Sequence, residues 1–217
     1  MSLQAHFYLI LDTKYQILYT SLMDSKTIIF IGRSGCGKGT QAKLLIEKLK
    51  AESPEKGVFY MESGERFREF ISGSSYTAKE SKRIMDEGGL QPAFLAVHIW
   101  SHLMIEQMDE GKHIIIDGTP RLLNEAMVLD SAFKFYGREN PTVIFLDTGI
   151  DWSYKRLEER GRLDDKRKGD IEKRFAWFEE SVMPVIEFYK TNPNYNFIQI
   201  NGEQSIEEVN KEIISKL

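Results

Sequence analysis

The segment GRSGCGKGT, Gly32 to Thr40, lies between the apolar run Thr27–Ile31 and a helical stretch from Gly39 to Leu49, and nothing else in the chain limits its fold as strongly. A strand that turns through glycines straight into a helix brings backbone N–H groups and a helix N-terminus together, which is an anion-binding arrangement. Gly32, Gly35, Gly37 and Gly39 let the backbone approach a phosphate without Cβ clashes, and Lys38 adds a point charge for terminal phosphates. The spacing excludes the dinucleotide fingerprint G-x-G-x-x-G, which has no use for a lysine inside its turn. In the general phosphate-loop pattern Ser or Thr follows the lysine directly; here Gly39 intervenes, so Thr40 is a metal candidate displaced by one residue.

From Thr27 onward, β-rich runs alternate with helical stretches: Thr27–Ile31, Val58–Met61, His113–Ile116, Thr142–Leu146 and Asn196–Ile200. That alternation predicts a parallel sheet covered by helices. Ala42, Leu45, Ile46 and Leu49 form the buried stripe of the first helix. A longer helical insertion, roughly Glu65 to Gln91, precedes a helix from Pro92 to Glu110 and is the natural candidate for a mobile subdomain. His98 and His102 stand four apart on that second helix among Val97, Ile99 and Trp100, and read as packed side chains rather than a metal pair. A length of 217 residues suits one α/β domain with a small insertion.

Charge narrows the partners. With 29 basic against 33 acidic side chains, the net charge of −4 argues against nucleic acid as the main partner, although a local basic site for a small polyanion is compatible with it. The stretch Lys155 to Arg174 holds nine basic and six acidic residues. One cysteine, Cys36, can form neither an internal disulfide nor a cysteine-rich zinc site, which fits a reducing compartment; the expected location is cytoplasmic. No run reaches the ~18 apolar residues of a membrane span, and Phe7 to Leu22 is interrupted by Asp12 and Lys14. FYLIL and QILYT, separated by DTKY, read as a hairpin in front of the main domain; a disordered extension, or Met23 as the initiator, is the competing reading of residues 1–25.

Three further motifs follow the loop in order. YMESGERFRE spans Tyr60 to Glu69, IIIDGTPR spans Ile114 to Arg121, and RGRLDDKRKGDIEKRF spans Arg160 to Phe175. With the phosphate loop, these make residues 26–217 resemble the nucleoside monophosphate kinases, the adenylate kinase and UMP/CMP kinase family. The resemblance implies a P-loop NTPase-type three-layer sandwich: a five-stranded parallel sheet, a helical monophosphate-binding insertion at about 62–91 and a short lid at about 158–170. It implies an enzyme that transfers the γ-phosphoryl of MgATP to a nucleoside monophosphate, AMP foremost and UMP or CMP as the alternative. It places Gly35, Cys36, Gly37, Lys38, Gly39, Thr40, Arg160 and Gln204 on the ATP side. The acceptor side would hold Ser63, Gly64, Arg68, Gly89, Leu90, Gln91, Gly118, Thr119, Pro120, Arg121, Glu125, Arg162 and Arg174, with one extra residue between Asp165 and Arg174 loosening the last match. Lys38, Arg121, Arg160, Arg162 and Arg174 would be catalytic, and Asp117 would face Mg²⁺ through water, with Thr40 as the second metal candidate.

A single residue between Arg162 and Asp164 marks the short lid, which lacks the long zinc-binding insertion of other members. Glu125 stands where adenylate kinases usually place a glutamine. A carboxylate only accepts hydrogen bonds, so it cannot match both edges of adenine, and the Gln91 amide is the candidate to compensate. The resemblance further implies a monomer with neither membrane nor nucleic-acid partners. Two rivals remain: a kinase for another small acceptor, which would not need DG-x-PR and GR-x-DD, and a nucleotide-binding module without catalysis, which should have lost Lys38 or the arginines. A GTPase switch should carry N-K-x-D, which the sequence lacks.

Overall fold

The computed structural model describes residues 25–162 and 168–217. The expected hairpin before Met23 and the acidic pair Asp164 and Asp165 lie outside the described residues. Five strands, β1 (Thr27–Gly32), β2 (Val58–Glu62), β3 (His113–Asp117), β4 (Thr142–Asp147) and β5 (Asn196–Asn201), form one all-parallel sheet in the order β2-β3-β1-β4-β5.

Strand and face alternate as the pleat requires. On one face Ile29, Ile31, Met61, Ile116 and Phe145 pack against α4 (Ala93–Gln107), α5 (Leu123–Phe135) and α8 (Met183–Thr191). On the other, Ile28, Phe30, Ile115, Leu146 and Ile200 meet α1 (Lys38–Glu52) and α9 (Ile206–Lys216). The result is the expected three-layer sandwich, with apolar strands buried on both sides as parallel sheets demand. Of the stripe predicted in α1, Ala42, Leu45 and Leu49 are buried and Ile46 is half-buried against the same core. A reciprocal capping box, Ser205 with Glu208, starts α9.

The helical insertion expected between β2 and α4 consists of two helices, α2 (Ser63–Phe70) and α3 (Tyr76–Asp86). The break falls at ISGSS, where the Ser75 side chain accepts from the Ala78 N–H and caps α3. The segment α6 (Ile150–Arg160) ends on Gly161, whose φ of 62° is the left-handed stop that favours glycine. Beyond it, α7 (Lys168–Trp177) runs into α8 through one wide turn at Phe178–Val182, in which the Met183 N–H bonds the Phe178 carbonyl. Pro184 explains the widening: it has no N–H to donate, and its ring crowds the carbonyl four residues back.

His98 and His102, expected inside the packing, are both exposed, their rings stacked with centroids 6.0 Å apart. The buried side of α4 is carried instead by Leu95, Ala96, Trp100 and Met104. Among the described residues, no helix is long and apolar enough to cross a membrane.

Candidate active site

Ligands of open parallel sheets bind beyond the carboxyl ends of the strands, and there the loops after β1 and β3, the helix that follows β2 and residues 156–162 and 174–177 enclose a cleft of about 510 Å³. The β1 loop supplies its floor. Gly35 has φ of 89°, and a Cβ on it would lie 2.4 Å from the Ser153 carbonyl oxygen, so only glycine lets the loop press on α6. Gly37, in the left-handed region, caps α1, and Lys38 is the first helical residue. The Lys38 ammonium donates to the carbonyls of Gly32 at 2.7 Å and Arg33 at 3.0 Å, and approaches the Cys36 sulfur at 3.4 Å. Arg33 fastens the same loop from behind. Its guanidinium donates to Glu179 at 2.7 Å and Thr148 O at 3.3 Å, and lies 4.5 Å from the Phe178 ring centroid.

Two carboxylates stand side by side at the strand ends. Glu62 and Asp117 are register partners of β2 and β3. Burial pushes the Asp117 carboxyl up to about 6, opposed by the nearby Lys38 charge and reinforced by Glu62. Glu62 accepts from Arg68 at 3.2 Å and lies 4.0 Å from Arg162. Tyr60, beneath them, donates its hydroxyl to Glu62 at 3.4 Å; burial and the two carboxylates hold that phenol well above its usual range.

The β3 loop makes the opposite wall through a cis Thr119–Pro120 peptide. Gly118, at φ of 77°, has its missing Cβ replaced by close neighbours: a methyl there would sit 2.7 Å from the Ser63 hydroxyl, which donates to the Gly118 carbonyl. The Arg121 guanidinium donates to that carbonyl at 2.8 Å and stacks 5.1 Å over Trp177. Burial lowers its pKa. Trp177 in turn donates its indole N–H to Gly88 O at 3.2 Å, and Lys173 donates to Glu87 O, so α7 is hydrogen-bonded to the end of α3.

The sequence-derived candidates divide by position. Gly35, Gly37, Lys38, Gly39 and Thr40 line the cleft from the loop; Ser63, Gly64, Arg68, Gly89 and Gln91 line it from the excursion between β2 and α4; Asp117, Gly118, Arg121, Arg160, Arg162 and Arg174 complete it. Gln204 and Cys36 lie elsewhere, around a smaller hollow behind the phosphate loop with Arg156. Leu90, Thr119, Pro120 and Glu125 are not on the cleft lining. Glu125 is 1% exposed and turns inward, accepting from the Arg121 backbone N–H at 3.1 Å and the Thr119 hydroxyl at 3.3 Å. The Gln91 amide is held by Ser81, donating to its carbonyl and accepting from its hydroxyl.

Sequence reasoning missed Glu62, Lys43, Arg156, Glu159 and Trp177, all on the lining. Spacing carried a signal for two of them, since Arg156 precedes Arg160 by one helical turn and Trp177 follows Arg174 by three residues.

The adenylate kinase family model matches residues 30–194. An adenylate kinase of Flavobacterium psychrophilum is 30% identical over 200 residues, covering 88% of this chain and 98% of its own. One from Leptospira biflexa is 31% identical over 196 residues, covering 88% of this chain and all of its own. Adenylate kinase isoenzyme 1 of Gallus gallus is 29% identical over 201 residues, covering 90% and 96%. Since the matched span opens in the middle of β1 and closes just before β5, it contains every residue that lines the larger cleft, and the chain belongs to the adenylate kinase family.

Proposed function

We propose that this nucleoside monophosphate kinase uses AMP as its preferred acceptor, converting ATP and AMP to two ADP. The observation that carries the reading is one shared cleft in which Lys38 and the phosphate loop face Arg68 and Arg121. Its relatives in Flavobacterium psychrophilum and Leptospira biflexa are adenylate kinases, which supports the choice of base. Phosphoryl transfer between two anionic nucleotides asks for alignment, charge neutralisation and exclusion of water rather than a protein nucleophile. In this reading the loop amides and Lys38 hold the β- and γ-phosphates of ATP, Arg68 and Arg121 hold the acceptor phosphate, and Arg160, Arg162 and Arg174 surround the transferring group. Residues about 62–91 and a lid at about 158–170 close over the cleft, sparing the phosphate from hydrolysis.

The donor set suits Mg²⁺. Asp117 Oδ2 lies 3.3 Å from where a Cβ on Gly39 would be, which puts a hard oxygen against the start of α1, with the Thr40 hydroxyl on the same cleft. Asp117, through water, and Thr40 would hold the ion, which when bound neutralises charge on the β- and γ-phosphates. Gly39 therefore has a positional reason: it makes room for that carboxylate at the site where other phosphate loops carry a hydroxyl.

The backbone of the Gly89–Gln91 stretch borders the base, with Glu125 bracing the turn that carries Arg121 rather than reading the base edge. The working unit is a monomer in the cytoplasm. ADP formation from MgATP, measured with AMP, UMP, CMP and GMP in turn, tests this: AMP should give the highest kcat/KM, and a higher value with another monophosphate overturns the assignment.

A further inference from the structure

Glu62 has no part in the roles above, yet it holds two of the cations that do. Its carboxylate sits at the end of β2 with its side chain only 15% exposed, 3.2 Å from the Arg68 guanidinium and 4.0 Å from that of Arg162. Arg68 rises from α2 and Arg162 follows the end of α6, so one carboxylate joins an arginine of the β2–α4 excursion to an arginine at the edge of the α6–α7 connection. The missing side chain of Gly64 leaves room for this pose: a Cβ there would come within 3.2 Å of the Arg68 guanidinium.

We infer that Glu62 is a built-in rival of the acceptor phosphate, holding Arg68 and Arg162 in aim until the incoming dianion takes them over. The inference rests on the proposed kinase reading. Three points support it. A carboxylate and a phosphate make the same charge-assisted contacts to guanidinium groups, and the phosphate has more oxygens and more charge to offer. The exchange is therefore downhill but not free, because each arginine must leave one anion to meet the next. The second point is the neighbourhood. Asp117 stands beside Glu62 in register, so once its arginines turn to substrate Glu62 becomes an uncompensated negative charge next to another carboxylate. That repulsion weakens acceptor binding. The third is geometry: among the described residues Glu62 is the group that joins the Arg68 and Arg162 guanidiniums, so their aim loosens without it. Glu62 is thus a positioning residue that trades acceptor affinity for alignment.

The test is Glu62→Gln in the full-length chain, with Glu62→Asp beside it. Calorimetric titration with AMP, without ATP or magnesium, should give a Kd lowered about fivefold in Glu62→Gln. Steady-state transfer should show kcat reduced about tenfold, the KM for AMP lowered, and the KM for ATP within twofold of the parent. Glu62→Asp keeps the charge on a shorter arm and should restore the parent Kd while recovering part of kcat. An unchanged or raised Kd for AMP in Glu62→Gln overturns the proposal, as does a kcat equal to the parent's. If Glu62→Gln fails to fold by circular dichroism, Glu62→Asp decides: parent-like AMP affinity with reduced kcat upholds the proposal, and parent-like kcat overturns it. The kinase reading fails separately, through absence of transfer to any monophosphate by the unaltered chain.

Discussion

The two walls of the cleft hold their cations in different ways. On the phosphate-loop wall Lys38 is fixed by carbonyls five and six residues earlier in the chain. On the facing wall Arg68, Arg121 and Arg162 are set by Glu62, Ser63 and Gly118, groups carried on β2, α2 and the loop after β3. The first wall is one contiguous motif whose geometry follows from glycines and a helix start. The second exists only when separate elements are packed together. Local closure gives a rigid anchor, whereas an assembled wall can open and close by moving the elements that bear its arginines.

Substitutions can break this contrast. Lys38→Ala removes the ammonium held at the start of α1 and should cut turnover by on the order of a thousandfold, with the circular dichroism spectrum unchanged; turnover within tenfold of the parent refutes its role. Arg121→Ala should cost on the order of a hundredfold and raise the KM for the monophosphate more than that for ATP. An equal rise in both would mean that the walls are not separate in function.

Asp117, between the walls, gives an effect of opposite sign on stability. Its carboxyl titrates at about 6 when folded against an ordinary 3.8, so the folded protein holds an extra proton between those values. Stability therefore falls as pH rises through that window, and the cost persists above it. Asp117→Asn removes the cost: thermal unfolding at pH 8 should show a gain of roughly 1–3 kcal/mol, shrinking as pH falls from about 6 to about 4 and gone below that, while transfer activity is lost. A variant less stable than the parent at pH 8 refutes the account.

Gly118→Ala sharpens the comparison. Positive φ and the 2.7 Å approach to Ser63 should cost about 1–3 kcal/mol and raise the KM for the monophosphate, leaving that for ATP unaltered. The smallest effect serves as a baseline: Lys48→Ala, which breaks an exposed pair with Glu52 on α1, should change stability by no more than about 0.5 kcal/mol.

The same contrast explains what could be read from sequence. The phosphate loop was legible because its chemistry lies in consecutive residues. All five strands were placed, yet each runs one residue beyond its apolar run, onto Gly32, Glu62, Asp117, Asp147 and Asn201. Apolarity marks the buried part of a parallel strand and stops where the strand reaches the site, so a search for buried runs ends one position short of the functional residue. Glu62 was lost this way; Asp117 was recovered only by its motif. Glu125 lies off the cleft lining for another reason. A sequence position four after Arg121 says which face of α5 it starts on, but the inward turn toward Thr119 depends on packing that spacing does not encode.

Trp177 carries a consequence of a different kind. One face of its indole lies against Arg121 while its N–H holds Gly88, so a single ring touches the cleft wall and the end of α3 at once. Indole emission responds to a neighbouring charge and to the loss of a hydrogen bond. The molecule therefore contains its own optical gauge: fluorescence from Trp177, isolated by replacing Trp100 and Trp152 with phenylalanine, would read out in real time how the arginine and the excursion move relative to each other.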